Sequence, residues 1–108
     1  MKIYDLKAAS GRAFAFEVAN LLMTRRSACN VARSIPGATI IKQAPFRLFK
    51  SEDVFCEFVV DGQHFQIWEP YGDNSRYWVG PVPPQWCEQL AVVREAFSRF
   101  KVFGFGGA

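Results

Sequence analysis

His64 is the only histidine in the chain. It lies in a run that also carries Glu57, Glu69 and Asp73: VFCEFVVDGQHFQIWEPYGDNSRYWVGP, Val54 to Pro81. Carboxylates gathered near an imidazole can have their pKa values pushed apart, which is what general acid–base chemistry requires. No nucleophile is fixed beside these groups, however, and a histidine flanking a tight turn reads first as a solvated residue, so no catalytic residue is assigned. The three cysteines, Cys29, Cys56 and Cys87, fall at apolar positions without a C-x-x-C pair. They read as reduced core thiols of a cytoplasmic protein, neither a disulfide framework nor a ligand set. A lone histidine and scattered cysteines supply no metal site. The glycine-rich end, KVFGFGGA, has no helix after it to make a phosphate cradle. No metal and no cofactor is expected.

The same run is more informative about binding. Asp61-Gly62 between alternating stretches is the signature of a type I′ hairpin, whose two central residues both need positive φ. Taking them as the loop sets Val60 against Gln63, Phe58 against Phe65 and Cys56 against Ile67 on one side. Val59 then faces His64, Glu57 faces Gln66, and Phe55 faces Trp68 on the other. A third strand, SRYWVG, is added with Trp68 opposite Arg76 and Gln66 opposite Trp78. One side then gathers Cys56, Phe58, Val60, Phe65, Ile67, Tyr77 and Val79, a core face. The other gathers Phe55, Glu57, His64, Gln66, Trp68, Arg76 and Trp78. Three large aromatics among polar groups are more than a solvated sheet face normally carries, and they mark an interface or a groove. In this register Arg76 is placed to stack on Trp68. The candidate contacts are Phe55, Glu57, Gln66, Trp68, Arg76 and Trp78. Their occupant is left open among the chain's own remaining strands or tail, a second copy, and a small molecule or peptide, with simple exposure as the last alternative.

Arg25 and Arg26 form a second candidate. If Thr24 caps a helix, both cations stand in its first turn, where the helix dipole opposes them by about 0.3–1 kcal/mol each. An anion, a carboxylate from elsewhere in the chain or a partner's acidic surface is then needed. A helix starting earlier, near Asn20, would leave both solvated.

The elements that must position these groups follow from periodicity. KIYDLKAASGRAFAFEVAN reads as two strands around Ser10-Gly11, with Phe14, Phe16 and Val18 alternating. Phe14, Val18, Leu21 and Leu22 also fit a helix, and that alternative stays open. TRRSACNVARSIPG is a helix from a Thr24 cap to a Pro36-Gly37 stop, and ATIIKQAPFRLF a strand broken at Pro45. PPQWCEQLAVVREAFSRF is a helix with Pro84 in its first turn and an apolar stripe of Trp86, Leu90, Val93, Phe97 and Phe100. Residues 101–108 read as an irregular tail. The order is β-β-α-β-β-β-β-α, an α+β domain with a mostly antiparallel sheet of five to six strands and two helices on one face.

Composition agrees with this. At 108 residues the chain reads as one globular domain, half hydrophobic and 16% aromatic, with a formal charge of only +3. That charge is not the concentrated basic stripe of a nucleic-acid binder. No run is long and apolar enough for a membrane span, and the opening residues are not a signal peptide. The expectation is a small cytoplasmic binding or interaction module that self-associates as a homodimer through its aromatic-polar sheet face. The alternative is a small enzyme or small-molecule-binding protein with a pocket on that face, and nucleic-acid binding ranks below both.

Overall fold

The structure, a computed structural model, describes residues 2–19, 23–43, 54–70 and 76–100. Its strands are β1 (Ile3–Lys7), β2 (Ala13–Ala19), β3 (Ala38–Gln43), β4 (Val54–Val60), β5 (Gln63–Trp68) and β6 (Arg76–Pro81). The helices are α1 (Arg25–Ser34) and α2 (Glu88–Ser98). Every strand pair is antiparallel, in the order β1-β2-β6-β5-β4-β3. The first hairpin is therefore sheet, not helix. After β2 the chain runs through α1 to the far edge of the sheet, and β3 to β6 then return strand by strand until β6 pairs with β2.

Both helices pack on the same face. Phe16, Val18, Phe58, Val60, Phe65, Ile67, Tyr77 and Val79 of the sheet form one buried cluster with Ala28, Cys29 and Ala32 of α1 and Leu90, Val93 and Phe97 of α2. Aromatic pairs lock it: Phe58 stacks on Phe65 across the β4–β5 hairpin at 5.3 Å between centroids, and Phe97 meets Phe16 edge-on at 5.7 Å. Each such pair contributes about 0.5–1.5 kcal/mol beyond its area burial.

Local signals explain most boundaries. Thr24 is the N-cap of α1, its Oγ1 accepting the Ser27 N–H at 3.0 Å. The helix thus begins at Arg25 and not near Asn20. Asp61 (φ 48°) and Gly62 (φ 81°) form the left-handed pair of the β4–β5 turn. α2 is shorter than its apolar stripe implies. Cys87 is its N-cap in an extended conformation (φ −152°, ψ 157°), so Pro84 and Trp86 precede the helix. Two consecutive prolines, Pro83 and Pro84, favour extended backbone just before it. The expected break at Pro45 and the tail 101–108 lie outside the described residues. Within the described part of β3 the irregularity is a bulge between Ile40 and Lys42.

The cysteines depart from expectation. Cys29 of α1 and Cys56 of β4, both fully buried, are joined as a disulfide with Cα atoms 6.0 Å apart, and among the described cysteines Cys87 is left as the free thiol. The reading of three reduced thiols is thereby overturned for two of them. A helix face packed on a sheet face brought together residues that are 27 positions apart.

Candidate functional site

The face opposite the helices carries the candidate residues, with changes. The β4–β5 register is as the Asp-Gly turn dictates from Val60–Gln63 to Cys56–Ile67. A bulge between Val54 and Cys56 then places Val54, not Phe55, opposite Trp68. Phe55 therefore turns into the core, 1% exposed, edge-on to Tyr77 at 5.1 Å. It leaves the candidate surface.

On the other flank, β6 is displaced by two residues from the expected pairing. Trp68 stands opposite Trp78, Ile67 opposite Val79 and Gln66 opposite Gly80. An even displacement keeps every side chain on its face and changes only its neighbours. The two indoles consequently meet directly, centroids 6.3 Å apart and planes at 58°, and both remain half-buried. Gly80 lies against the Trp78 ring: a Cβ there would stand 2.7 Å from Cη2 of Trp78 and 2.7 Å from the Ala15 Cβ. Only the absence of a side chain lets the Trp78 ring approach so closely.

Arg76 does not stack on Trp68. Its guanidinium lies 3.6 Å from the centre of the Tyr4 ring on β1, and its Nη1 donates to Oε1 of Glu17 on β2 at 3.2 Å. Glu17 is 4% exposed although it lies on the outer face, and it pairs in register with both Tyr4 and Trp78. Tyr4 and Glu17 are members of this surface that sequence reasoning missed. The period-two alternation of β1 and β2 was visible, but their place beside β6 depends on strand order. Glu57, opposite Gln66, makes an exposed ion pair with Lys42 at 3.7 Å. His64 is exposed beside the turn, opposite Val59.

The acid–base grouping is not assembled among the described residues. Glu69 is on the helix side, 4% exposed at its side chain, bound by Arg25: Nη2 and Nε donate to Oε1 at 2.7 and 3.0 Å. Arg25 also lies 5.2 Å from the centre of the Phe55 ring. The cation that strains the first turn of α1 is thus neutralised within the chain by a carboxylate, which answers the question its position raised. Arg26 is exposed. Asp73 lies outside the described residues.

No protein-family model, curated protein or solved structure matches the chain. Among the described residues no helix is long and apolar enough to cross a membrane. No group of three or more His, Cys, Asp or Glu residues there is placed to hold a metal ion.

Proposed function

We propose that the chain is a single-domain interaction module that associates with a second copy of itself through the outer face of its sheet. The observation that carries this reading is the half-exposed Trp68–Trp78 pair, continuous with the Tyr4–Arg76–Glu17 cluster on the face that both helices leave bare. Tryptophan, tyrosine and arginine are the residues that dominate binding energy at protein interfaces. Two ion pairs lie on the face, Arg76 with Glu17 and Lys42 with Glu57. A surface carrying both signs in balance is compatible with itself under two-fold symmetry. Acidic side chains, Glu17 and Glu57, stand among the cations of this face, which counts against attraction of a phosphate backbone and disfavours the nucleic-acid reading. A small-molecule pocket lined by Glu57 and Arg76 together is disfavoured as well, since β5 lies between their strands and each is engaged by a different partner.

Reduced thiols were one of the grounds for expecting cytoplasmic residence, beside the character of the opening residues and the lack of a long apolar run. With Cys29 paired to Cys56 that one ground is withdrawn, because structural disulfides belong mainly to oxidising compartments.

The test is a concentration series of NMR spectra. Association through this face moves the indole N–H signals of Trp68 and Trp78 and the amides of Gln66 and Arg76 as protein concentration rises. Signals that shift instead on α1 and α2, or nowhere, reject the proposal.

A further inference from the structure

We propose that the Cys29–Cys56 disulfide is a redox latch on α1: with the bond made the helix is held on the sheet, and with both thiols reduced it lifts away while the rest of the sheet and α2 stay folded. The two cysteines come from different layers, Cys29 from α1 and Cys56 from β4. The bond is therefore a covalent tie across the helix–sheet interface. It lies on the side away from Trp68 and Trp78 and does not depend on self-association.

The packing of α1 on the core is light. It buries Ala28, Cys29 and Ala32, whereas α2 buries Leu90, Val93 and Phe97. Hydrophobic stabilisation scales with the apolar area removed from water, so two alanines and a cysteine anchor a helix far less than a leucine, a valine and a phenylalanine. The C-terminal half of α1 also borders a hollow of about 360 Å³, with Val31 and Ser34 on one side and Val92 and Ala96 of α2 on the other. Space between the helices is contact that neither gains. Other ties sit at the ends of the helix. Met23 and Ile35, which flank it, are buried, Arg25 binds Glu69, and Arg33 reaches the exposed Gln43 Oε1 at 2.8 Å.

The two helices touch each other but rest mainly on different parts of the sheet, α1 on β3 and β4 and α2 on β1 and β2. Release of α1 leaves Phe97 packed on Phe16 and uncovers the helix side of β3 and β4, where Ile40, Phe58 and Val60 lie. A helix of ten residues is marginal in water by itself, so once lifted it unravels. The reductant is a dithiol. Its thiolate attacks one sulfur of the bond and expels the other, and its second thiol then displaces the first sulfur and closes the reductant's own disulfide. Two electrons pass to Cys29 and Cys56, and the two protons of the dithiol go with them. Both cysteines are fully buried, so attack waits for an opening of the chain.

The test is amide hydrogen exchange, followed by NMR, on the isotope-labelled full chain. It compares oxidised protein with protein reduced by excess dithiothreitol in urea and then freed of urea with the reductant kept. In the oxidised protein the amides of Cys29 to Ser34 should be about as protected as those of β2 and β6. In the reduced protein they should exchange about 10²–10³-fold faster than those of β2, β6 and α2, the factor that a bond spanning 27 residues withholds by loop closure. Iodoacetamide gives a second reading: without denaturant it should alkylate Cys29 of the reduced protein while the α2 amides remain protected. Helix α1 staying as protected as β2 and β6 after reduction, equal acceleration in every element, or loss of the whole fold overturns the proposal. So does a Cys29 that resists alkylation until the α2 amides also exchange.

Discussion

Trp68 and Trp78 face each other across β5 and β6 on the side of the sheet away from both helices, their rings in contact and each only half-buried. Gly80 leaves room for the Trp78 ring, since a Cβ there would stand 2.7 Å from both Trp78 Cη2 and the Ala15 Cβ. Gly80→Ala should therefore destabilise the fold by about 1–3 kcal/mol, the range for forcing a methyl group into a packed site. Denaturant unfolding measures the loss, and tryptophan fluorescence should shift in the folded mutant as Trp78 is displaced. A neutral substitution with unchanged emission would show that the ring does not lie over Gly80.

The Arg25–Glu69 pair should be the costliest polar contact to break. Both side chains are largely withdrawn from water, at 15% and 4% exposure, and removing one partner takes from the other two short charge-assisted hydrogen bonds made where solvent cannot fully replace them. Glu69→Ala should cost about 3–5 kcal/mol in urea unfolding. Arg25→Lys should recover little of the loss of Arg25→Ala, because an ammonium cannot reproduce the guanidinium fork or its stacking on Phe55. A full rescue by lysine would mean that only charge matters there.

Reduction should expose a large share of the stability. Without reductant, denatured protein should titrate one thiol, Cys87, and after reduction all three. Closing a loop over a separation of 27 residues stabilises by about 3–4 kcal/mol in the chain-entropy account. Cys29→Ala with Cys56→Ala should show a loss of that order by denaturant unfolding. Three titratable thiols before reduction would contradict the pairing.

Acid should weaken the tie between β1 and α2. The Arg94 hydrogen bonds hold the Asp5 carboxyl below its ordinary value of 3.8. A carboxyl with a depressed folded-state pKa contributes stability above its unfolded value and loses that contribution as pH falls through the folded one. Arg94 is 42% exposed at its side chain, so solvent screening limits the gain to under about 1 kcal/mol. The stability difference between wild type and Asp5→Asn should be fully present at about pH 6 and shrink progressively below the unfolded-state pKa. A difference that grows toward low pH would carry the wrong sign.

Much of the fold was legible from local signals, and the failures share a cause. Asp61-Gly62 set the β4–β5 register over its first pairs because the turn acts on its own neighbours, whereas the start of α1 stood open between a Thr24 cap and Asn20 until the structure placed the cap at Thr24. Phe55 was misplaced because a bulge reverses alternation at one residue, and three consecutive apolar positions, Val54, Phe55 and Cys56, were its only trace. The expected β5–β6 register was off by two because the sequence PYGDN between the strands carries no turn signature that ties its length to one pairing. The faces still survived, since an even slip preserves them. Tyr4, Glu17, the Glu69 partner of Arg25 and the Cys29–Cys56 pair could not be read, because each depends on segments distant in sequence meeting in space.

Self-association through the outer face is most directly tested by light scattering across a micromolar-to-millimolar concentration series, comparing wild type with Trp68→Asp. The half-exposed indole tolerates an acidic replacement better than a core residue would, and circular dichroism verifies that the variant is folded. The wild-type mass should rise from monomer to dimer, while folded Trp68→Asp stays monomeric throughout. A wild-type protein that remains monomeric at the highest concentration, or a folded variant that dimerises equally well, contradicts the account.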